Sequence, residues 1–236
     1  MQAVILAGGK GTRLKPYTIV FPKPLMPLGD YPILEIVIRQ LKRNNFEKII
    51  LAVGHLKHLM QAFFDDGKRW GLNISYSMEE KPLGTAAPLK LIDGLENDFL
   101  VMNGDILTDM NFRDFFEYHK KNNAVCSIAS HTKSVKIDLG ILESDNNNLL
   151  TGYIEKPQLN YSVSMGVYAF NKSALDFIPQ NQYFDFPDLI KTLLNNGKKV
   201  LKYPYDGYWL DIGRPEDYER AIEEFEKYKL KFLGEQ

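Results

Sequence analysis

A single cysteine, Cys126, stands among 236 residues. That excludes an intrachain disulfide framework, a four-cysteine zinc site and a CxxC redox pair. Histidine is scarce too, and His55, His58, His119 and His131 form no HExxH pattern. Neither sign of charge dominates: 29 basic and 30 acidic residues leave a net charge of −1. Without an overall positive field, sequence-independent attraction to nucleic acid is not expected. No apolar run approaches the roughly 18–20 residues needed to span a bilayer. The first residues, Met1-Gln2-Ala3-Val4-Ile5-Leu6, turn apolar at once with no basic stretch before them, so no secretory leader is expected. Internal repeats, low-complexity tracts and linkers are missing as well. These absences predict a cytoplasmic protein with no nucleic-acid or membrane partner; a homo-oligomer stays open.

What is present is enough for a core. Hydrophobic residues make up 44% and charged residues 25%, a balance that rules out disorder as the main state. Short apolar runs at Ala3–Ala7, Ile49–Val53 and Phe99–Met102 read as buried strands. Between them, Ile33 to Leu41 and Leu56 to Phe64 carry apolar residues at helical spacing, which assigns Phe63, Phe64 and Trp70 to core packing. Asn73–Ser77 alternates like a strand. Thr85–Ile92 reads as a short helix limited by Pro88, and Phe112, Phe115 and Phe116 mark another. Past Asn122 the texture changes: Val125–Ser130, Leu139–Glu143, Leu149–Ile154 and Val163–Phe170 read as antiparallel or mixed strands. A helix at Phe186–Asn195, strands at Val200–Tyr203 and Tyr208–Ile212, and a last helix opening at Pro215 complete the pattern. That helix places Tyr218, Ala221, Ile222 and Phe225 on one side. The expectation is a Rossmann-like three-layer α/β/α fold with a central mixed, mostly parallel sheet. One domain, 1–236, is expected, in two parts at about 1–122 and about 123–236, the second including a small β-rich subregion, roughly 123–185, laid over the sheet.

The first strand runs into Leu6-Ala7-Gly8-Gly9-Lys10-Gly11-Thr12-Arg13-Leu14. Its glycines let backbone N–H groups approach a phosphate, Thr12 adds a hydroxyl, and Arg13 adds a planar donor fork. In open α/β sheets such a turn lies at the carboxyl ends of the strands, where ligands bind. It is neither GxGxxG nor a P-loop, because Gly-Lys-Ser/Thr occurs nowhere. An ordinary tight turn accounts for the glycines alone equally well. Pro22-Lys23-Pro24 follows, and its two prolines stiffen the backbone around one lysine; a solvated loop lysine is the plain alternative. Asp105 and Asp211 each follow an apolar strand-like run, so their carboxylates can converge at one sheet edge. A helix cap or a turn is the alternative for each.

Taken in order, Gly8-Gly9-Lys10-Gly11-Thr12-Arg13-Leu14, Pro22-Lys23-Pro24, Pro82-Leu83-Gly84-Thr85-Ala86, Asn103-Gly104-Asp105, Glu155-Lys156-Pro157 and Trp209-Leu210-Asp211-Ile212-Gly213 resemble the sugar-1-phosphate nucleotidyltransferases. Within that family the third block is most similar to mannose- or heptose-1-phosphate guanylyltransferases. The resemblance implies transfer of a nucleotidyl group from a nucleoside triphosphate to a sugar 1-phosphate, with Mg²⁺ held by Asp105 and Asp211. It implies nucleotide contacts at Leu6, Ala7, Gly8, Gly9, Gly11, Thr12, Arg13, Glu79, Glu80, Pro82, Gly84 and Thr85. Sugar-phosphate contacts are implied at Gly140, Glu155 and Lys156, and Arg13 and Lys23 take the catalytic roles, which makes about 1–122 the nucleotide-binding part and about 123–236 the sugar-binding part.

GTP is the expected nucleotide, since a carboxylate at Glu79 or Glu80 can accept from the adjacent N–H donors of guanine; dTTP, UTP and CTP are the alternatives. Many relatives carry Asn before the glycine of the late strand, where this chain has Met165 before Gly166. That departure puts one polar sugar contact in doubt. No β-helix or regulatory extension is expected after the last helix. A dehydrogenase would need the missing GxGxxG, and a non-catalytic sensor would be expected to have lost Arg13, Lys23 or a carboxylate.

Overall fold

The computed structural model describes residues 1–79 and 81–234. In chain order these form β1 (Gln2–Leu6), β2 (Pro27–Leu28), β3 (Tyr31–Pro32), α1 (Ile33–Arg43), β4 (Lys48–Val53), α2 (Lys57–Phe64) and β5 (Asn73–Met78). Then come β6 (Asp98–Asn103), β7 (Ile106–Thr108), α3 (Phe112–Lys121), β8 (Cys126–Lys136), β9 (Ile141–Ser144), β10 (Leu150–Ile154) and β11 (Gln158–Asn171). The chain ends with α4 (Phe186–Asn195), β12 (Val200–Pro204), β13 (Trp209–Asp211), α5 (Pro215–Lys227) and α6 (Lys229–Leu233). Among the described residues no helix is long and apolar enough to cross a membrane.

Seven strands make the main sheet in the order β12-β8-β11-β6-β1-β4-β5. Only β11 runs against the others, pairing antiparallel with both β6 and β8. Strands β1, β4 and β6 are apolar without interruption because both faces of a parallel sheet are covered. Ala3 and Ile5 face a core shared with Leu34 and Val37 of α1, Met60 and Phe64 of α2 and Phe112 of α3. Val4 and Val101 face the opposite core, with Leu189 and Leu193 of α4. The result is the three-layer α/β fold expected from the alternation of strand and helix. A third cluster joins Leu14, Met26 and Leu210 to Ala221 and Phe225 of α5 and Phe232 of α6.

Several elements differ from the sequence reading. The helix expected over Thr85–Ile92 is a short 3₁₀ helix at Ala87–Leu91 with proline in its first turn. Pro88 has no N–H to give, and the N–H groups of Ala86 and Ala87 are already donated to Phe184 O. Strands β8 and β11 are longer than expected: His131–Lys136 pairs with Gln158–Val163 beyond the stretch bonded to β6 and β12. This two-stranded arm prolongs the sheet, and the β9–β10 hairpin lies between its strands in sequence. On α5, Ala221 and Phe225 are buried but Ile222 is 36% exposed, so it sits at the edge of the apolar stripe. Phe64 is fully buried, and Phe63 and Trp70 pack on the same core.

Candidate active site

The strand order reverses around β1, which pairs with β4 on one side and β6 on the other. That is where an open α/β sheet leaves a crevice beyond its carboxyl ends. A cleft of about 720 Å³ occupies this position. Its walls are the glycine turn after β1, Gly54 and His55 after β4, Ser77 and Glu79 at the end of β5, and Asn103-Gly104-Asp105 after β6. The turn is tied to both neighbouring strands, Ala7 N donating to Ala52 O at 2.8 Å and Gly104 N to Leu6 O at 3.0 Å. Backbones approach closely here: a β-carbon on Gly8 would stand 3.2 Å from Gly54 N and 3.3 Å from Glu79 Oε1. Leu6, Ala7, Gly8, Gly9, Gly11, Thr12 and Arg13 all line the cleft.

At one end the charged groups converge. Lys23 sits in a 3₁₀ turn, Lys23–Leu25, between its two prolines. It is buried, and its Nζ lies 2.5 Å from Asp105 Oδ2. Strand β7 begins just after Asp105, and β13 ends at Asp211. Their antiparallel pairing sets Asp211 opposite Ile106, and Ile212 N donates to Asp105 O at 3.1 Å. A three-residue ladder therefore brings together two carboxylates remote in sequence. Arg13 closes the group: its Nη1 and Asp211 Oδ2 lie 3.2 and 3.4 Å from where a β-carbon on Gly213 would stand. Arg214, not Asp211, precedes α5 as its cap, so the helix-capping alternative for Asp211 falls away.

The electrostatics fit this crowding. Asp211 stands just outside the cleft lining and is exposed as a residue; desolvation of its carboxyl and then the charge of Asp105 hold it above its ordinary value, while Lys23 and Arg13 draw it down. Asp105 Oδ1 is buried with no hydrogen-bond partner among the described residues. A buried carboxylate oxygen with nothing bound to it is costly unless a ligand or ion completes it. Two carboxylates, one with an orphaned oxygen, match the hard-oxygen donors that Mg²⁺ takes together with phosphate and water. Among the described residues no cluster of three or more His, Cys, Asp and Glu side chains could hold a metal unaided.

Glu79, Lys81, Pro82, Gly84 and Thr85 also line the cleft. Glu79 Oε2 accepts from Leu83 N at 3.0 Å, which folds the loop back on itself. Thr85 turns its hydroxyl to Asp185 Oδ1, at 3.0 Å. Glu80 lies outside the described residues. Gly140, Glu155 and Lys156 do not join the cleft lining. They flank the β9–β10 hairpin, Gly140 before β9 and Glu155-Lys156 after β10, where Tyr153 packs on Gly140 and donates to Glu155 Oε2 at 2.7 Å. The side chains of Glu155 and Lys156 are more than half exposed and 3.9 Å apart. Met165, the departure noted in the sequence, turns its side chain into the core, and its carbonyl accepts from Trp209 Nε1 at 3.0 Å.

Sequence reasoning missed Gly54, His55, Tyr183 and Asp185 as cleft residues. Gly54-His55 directly follows an apolar strand, the same signal that marked Asp105. Tyr183 and Asp185 carry no such signal, because they reach the cleft from a hundred residues beyond the loop they touch.

Residues 2–228 match the family described as "Nucleotidyl transferase". The chain is 33% identical to a UTP--glucose-1-phosphate uridylyltransferase of Synechocystis sp., over 94% of this chain and 62% of that one. It is 31% identical to a mannose-1-phosphate guanyltransferase of Candida albicans, over 92% of this chain and 62% of that one. It thus spans about 62% of the length of these curated relatives. Among solved structures, a putative glucose-1-phosphate thymidylyltransferase from Bacillus anthracis, in complex with a sucrose, superposes with a TM-score of 0.79 at 24% identity, covering 100% of both chains. That likeness is one of fold.

Proposed function

The chain belongs to the nucleotidyl transferase family, and from that premise we propose that it transfers a nucleotidyl group from a nucleoside triphosphate to a sugar 1-phosphate, releasing pyrophosphate. The observation that carries this reading is the convergence of Arg13, Lys23, Asp105 and Asp211 at the lip of the glycine turn. In the reaction a phosphate oxygen of the sugar 1-phosphate forms a bond to the α-phosphorus, and the bond from that phosphorus to the bridging oxygen of the β-phosphate breaks. The nucleophile is already an anion, so no general base is required. What remains for the protein is to align the two substrates and to neutralise charge.

The residues divide that work. Backbone N–H groups of the glycine turn cradle the triphosphate. Arg13 holds the departing β- and γ-phosphates with its donor fork. Lys23, buried beside Asp105, stabilises the α-phosphate as charge moves across it. Lys156, just after β10, aligns the incoming phosphate, with Glu155 and Gly140 meeting sugar hydroxyls. Asp105 and Asp211 would hold Mg²⁺, which when bound supplies Lewis-acid neutralisation at the α-phosphate.

GTP is the proposed nucleotide, supported by the Glu79 carboxylate in the cleft lining. One of its oxygens is committed to Leu83 N, and the other stands beside Gly8 and Gly54. The relatives bear names with uridylyl, guanylyl and thymidylyl groups, so dTTP, UTP or CTP in the same reaction is the second reading. The proposal includes a cytoplasmic site of action, where nucleoside triphosphates are available. A panel of nucleoside triphosphates against sugar 1-phosphates, read by pyrophosphate release, tests the whole assignment. Absence of pyrophosphate release with every pair of the panel would overturn it; release dependent on both substrates supports it.

A further inference from the structure

Tyr183 is an exposed aromatic held in place. The residue is 64% exposed, yet its hydroxyl donates to Asp185 Oδ2 at 2.6 Å, and Tyr183 is among the residues lining the cleft. An exposed tyrosine ordinarily turns freely; this one is moored at its tip.

The mooring extends to the loop that carries Thr85. Asp185 Oδ1 accepts from Thr85 N at 2.8 Å and from Thr85 Oγ1 at 3.0 Å. Thr85 Oγ1 in turn accepts from Phe186 N at 2.9 Å. Phe184 N donates to Leu83 O at 2.8 Å, and Phe184 O accepts from Ala86 N and Ala87 N. Gly84 passes beneath at φ +89, where a β-carbon would stand 2.7 Å from Phe184 O. Although Asp185 precedes α4, its side chain makes no cap bond to that helix; it crosses to the loop instead. Burial pushes the Asp185 carboxyl up, and hydrogen bonds from Tyr183 and Thr85 outweigh that and hold it below its ordinary value. The acceptor at the centre of the clamp is therefore ionised at neutral pH.

The position of the clamp assigns its use. With the triphosphate at the glycine turn and Lys23, the base of a bound nucleotide extends toward Glu79 and Gly84, and Tyr183 stands on that rim. We propose that the ring of Tyr183 packs against the face of the nucleobase, and that Asp185 is a positioning residue holding ring and loop in one arrangement. This rests on the nucleotidyltransferase reading and deepens it by assigning the base-contacting wall to a segment of chain a hundred residues beyond the loop.

The test is calorimetric binding of GTP, and separately of inorganic tripolyphosphate, to the whole chain and to Tyr183→Ala, Tyr183→Phe and Asp185→Asn. Tyr183→Ala should weaken GTP about tenfold, within the range for losing one base–aromatic contact. Tripolyphosphate, which has no base, should bind as before. Tyr183→Phe keeps the ring but not its tether and should lose less than Tyr183→Ala. Asp185→Asn should weaken GTP while sparing tripolyphosphate. Unchanged GTP binding in Tyr183→Ala overturns the inference and leaves the nucleotidyltransferase reading standing. Equal losses for both ligands also overturn it, since they mark a purely structural clamp. A parent protein that binds neither ligand removes both readings together.

Discussion

Lys23 and Asp105 stand 82 residues apart in the chain and 2.5 Å apart in the fold, Nζ against Oδ2. The lysine is buried and the aspartate's other oxygen has no partner among the described residues. The pair is therefore poised: each member neutralises the other while one acceptor position is left open.

The first prediction concerns the shape of that charge. Lys23→Arg keeps the positive charge but replaces a compact ammonium with a planar fork that needs more room. In a buried turn between two prolines such room is lacking. Most activity should be lost, with the fold kept by circular dichroism. Full turnover in Lys23→Arg would mean that Lys23 serves only the general field of the cleft.

Arg13 behaves differently, because it is exposed and contributes little to the core. Arg13→Ala should lower turnover by roughly 10²-fold, the scale for deleting one transition-state donor, with little change in melting temperature. Near-normal pyrophosphate release in the folded variant would remove it from the mechanism.

The carboxylates carry a pH prediction whose sign follows from Asp211. Its carboxyl is held above the ordinary value in the folded chain, so the folded state binds that proton more tightly than the unfolded state does. Ionised Asp211 thus lowers stability at neutral pH, and the deficit disappears as pH falls through the raised value and then the unfolded one. Asp211→Asn should raise the melting temperature at pH 7 in EDTA, and this advantage should vanish at acid pH. The same substitution, like Asp105→Asn, should lower Mg²⁺-dependent activity. The double variant should cost less than the sum of the singles, because both would serve one ion. Strict additivity, or full activity in EDTA, would count against a shared metal.

Much of this site is legible in the sequence because strand ends announce themselves. A buried apolar run followed by glycine or aspartate marks the carboxyl edge of a parallel sheet, and that rule finds Gly8 and Asp105 alike. It finds Asp211 as well, but not the reason the two aspartates meet. Strand β7 is three residues long, too short to show a period, so the β7–β13 ladder is hidden. The arm was underestimated for a different reason. Both of its strands lie mostly in solvent, and His131–Lys136 lacks the apolar alternation that betrays a half-buried strand, although Leu159, Tyr161 and Val163 do alternate within Gln158–Val163. Asp185 is hidden in a third way: it directly precedes α4, yet its side chain crosses to Thr85 instead of capping that helix. Such long-range use of a locally ordinary residue leaves no periodic trace.

The last prediction is the choice of nucleotide. Glu79 lines the cleft with Oε2 held by Leu83 N and Oε1 against Gly8 and Gly54. A fixed carboxylate there suits a base that presents adjacent N–H donors, as guanine does. Thymine and uracil offer only the single N3–H and cytosine only its N4–H₂ group, so a carboxylate set for two adjacent donors would be incompletely satisfied, and a site built around such hydrogen bonds discriminates against a partner that cannot make them all. GTP should therefore show the highest kcat/KM among GTP, ATP, dTTP, UTP and CTP with one accepted sugar phosphate. Glu79→Gln separates the roles of the side chain. Its amide oxygen can still accept from Leu83 N, so the loop should keep its fold, but the charge is gone. The expected result is a loss of about tenfold in kcat/KM for GTP, on the scale of one charge-assisted hydrogen bond, with little change for the pyrimidine nucleotides. A pyrimidine triphosphate preferred tenfold by the parent protein would overturn the guanine assignment while leaving the transferase reaction in place. Equal losses for every nucleotide in Glu79→Gln would reduce Glu79 to the brace that folds its own loop.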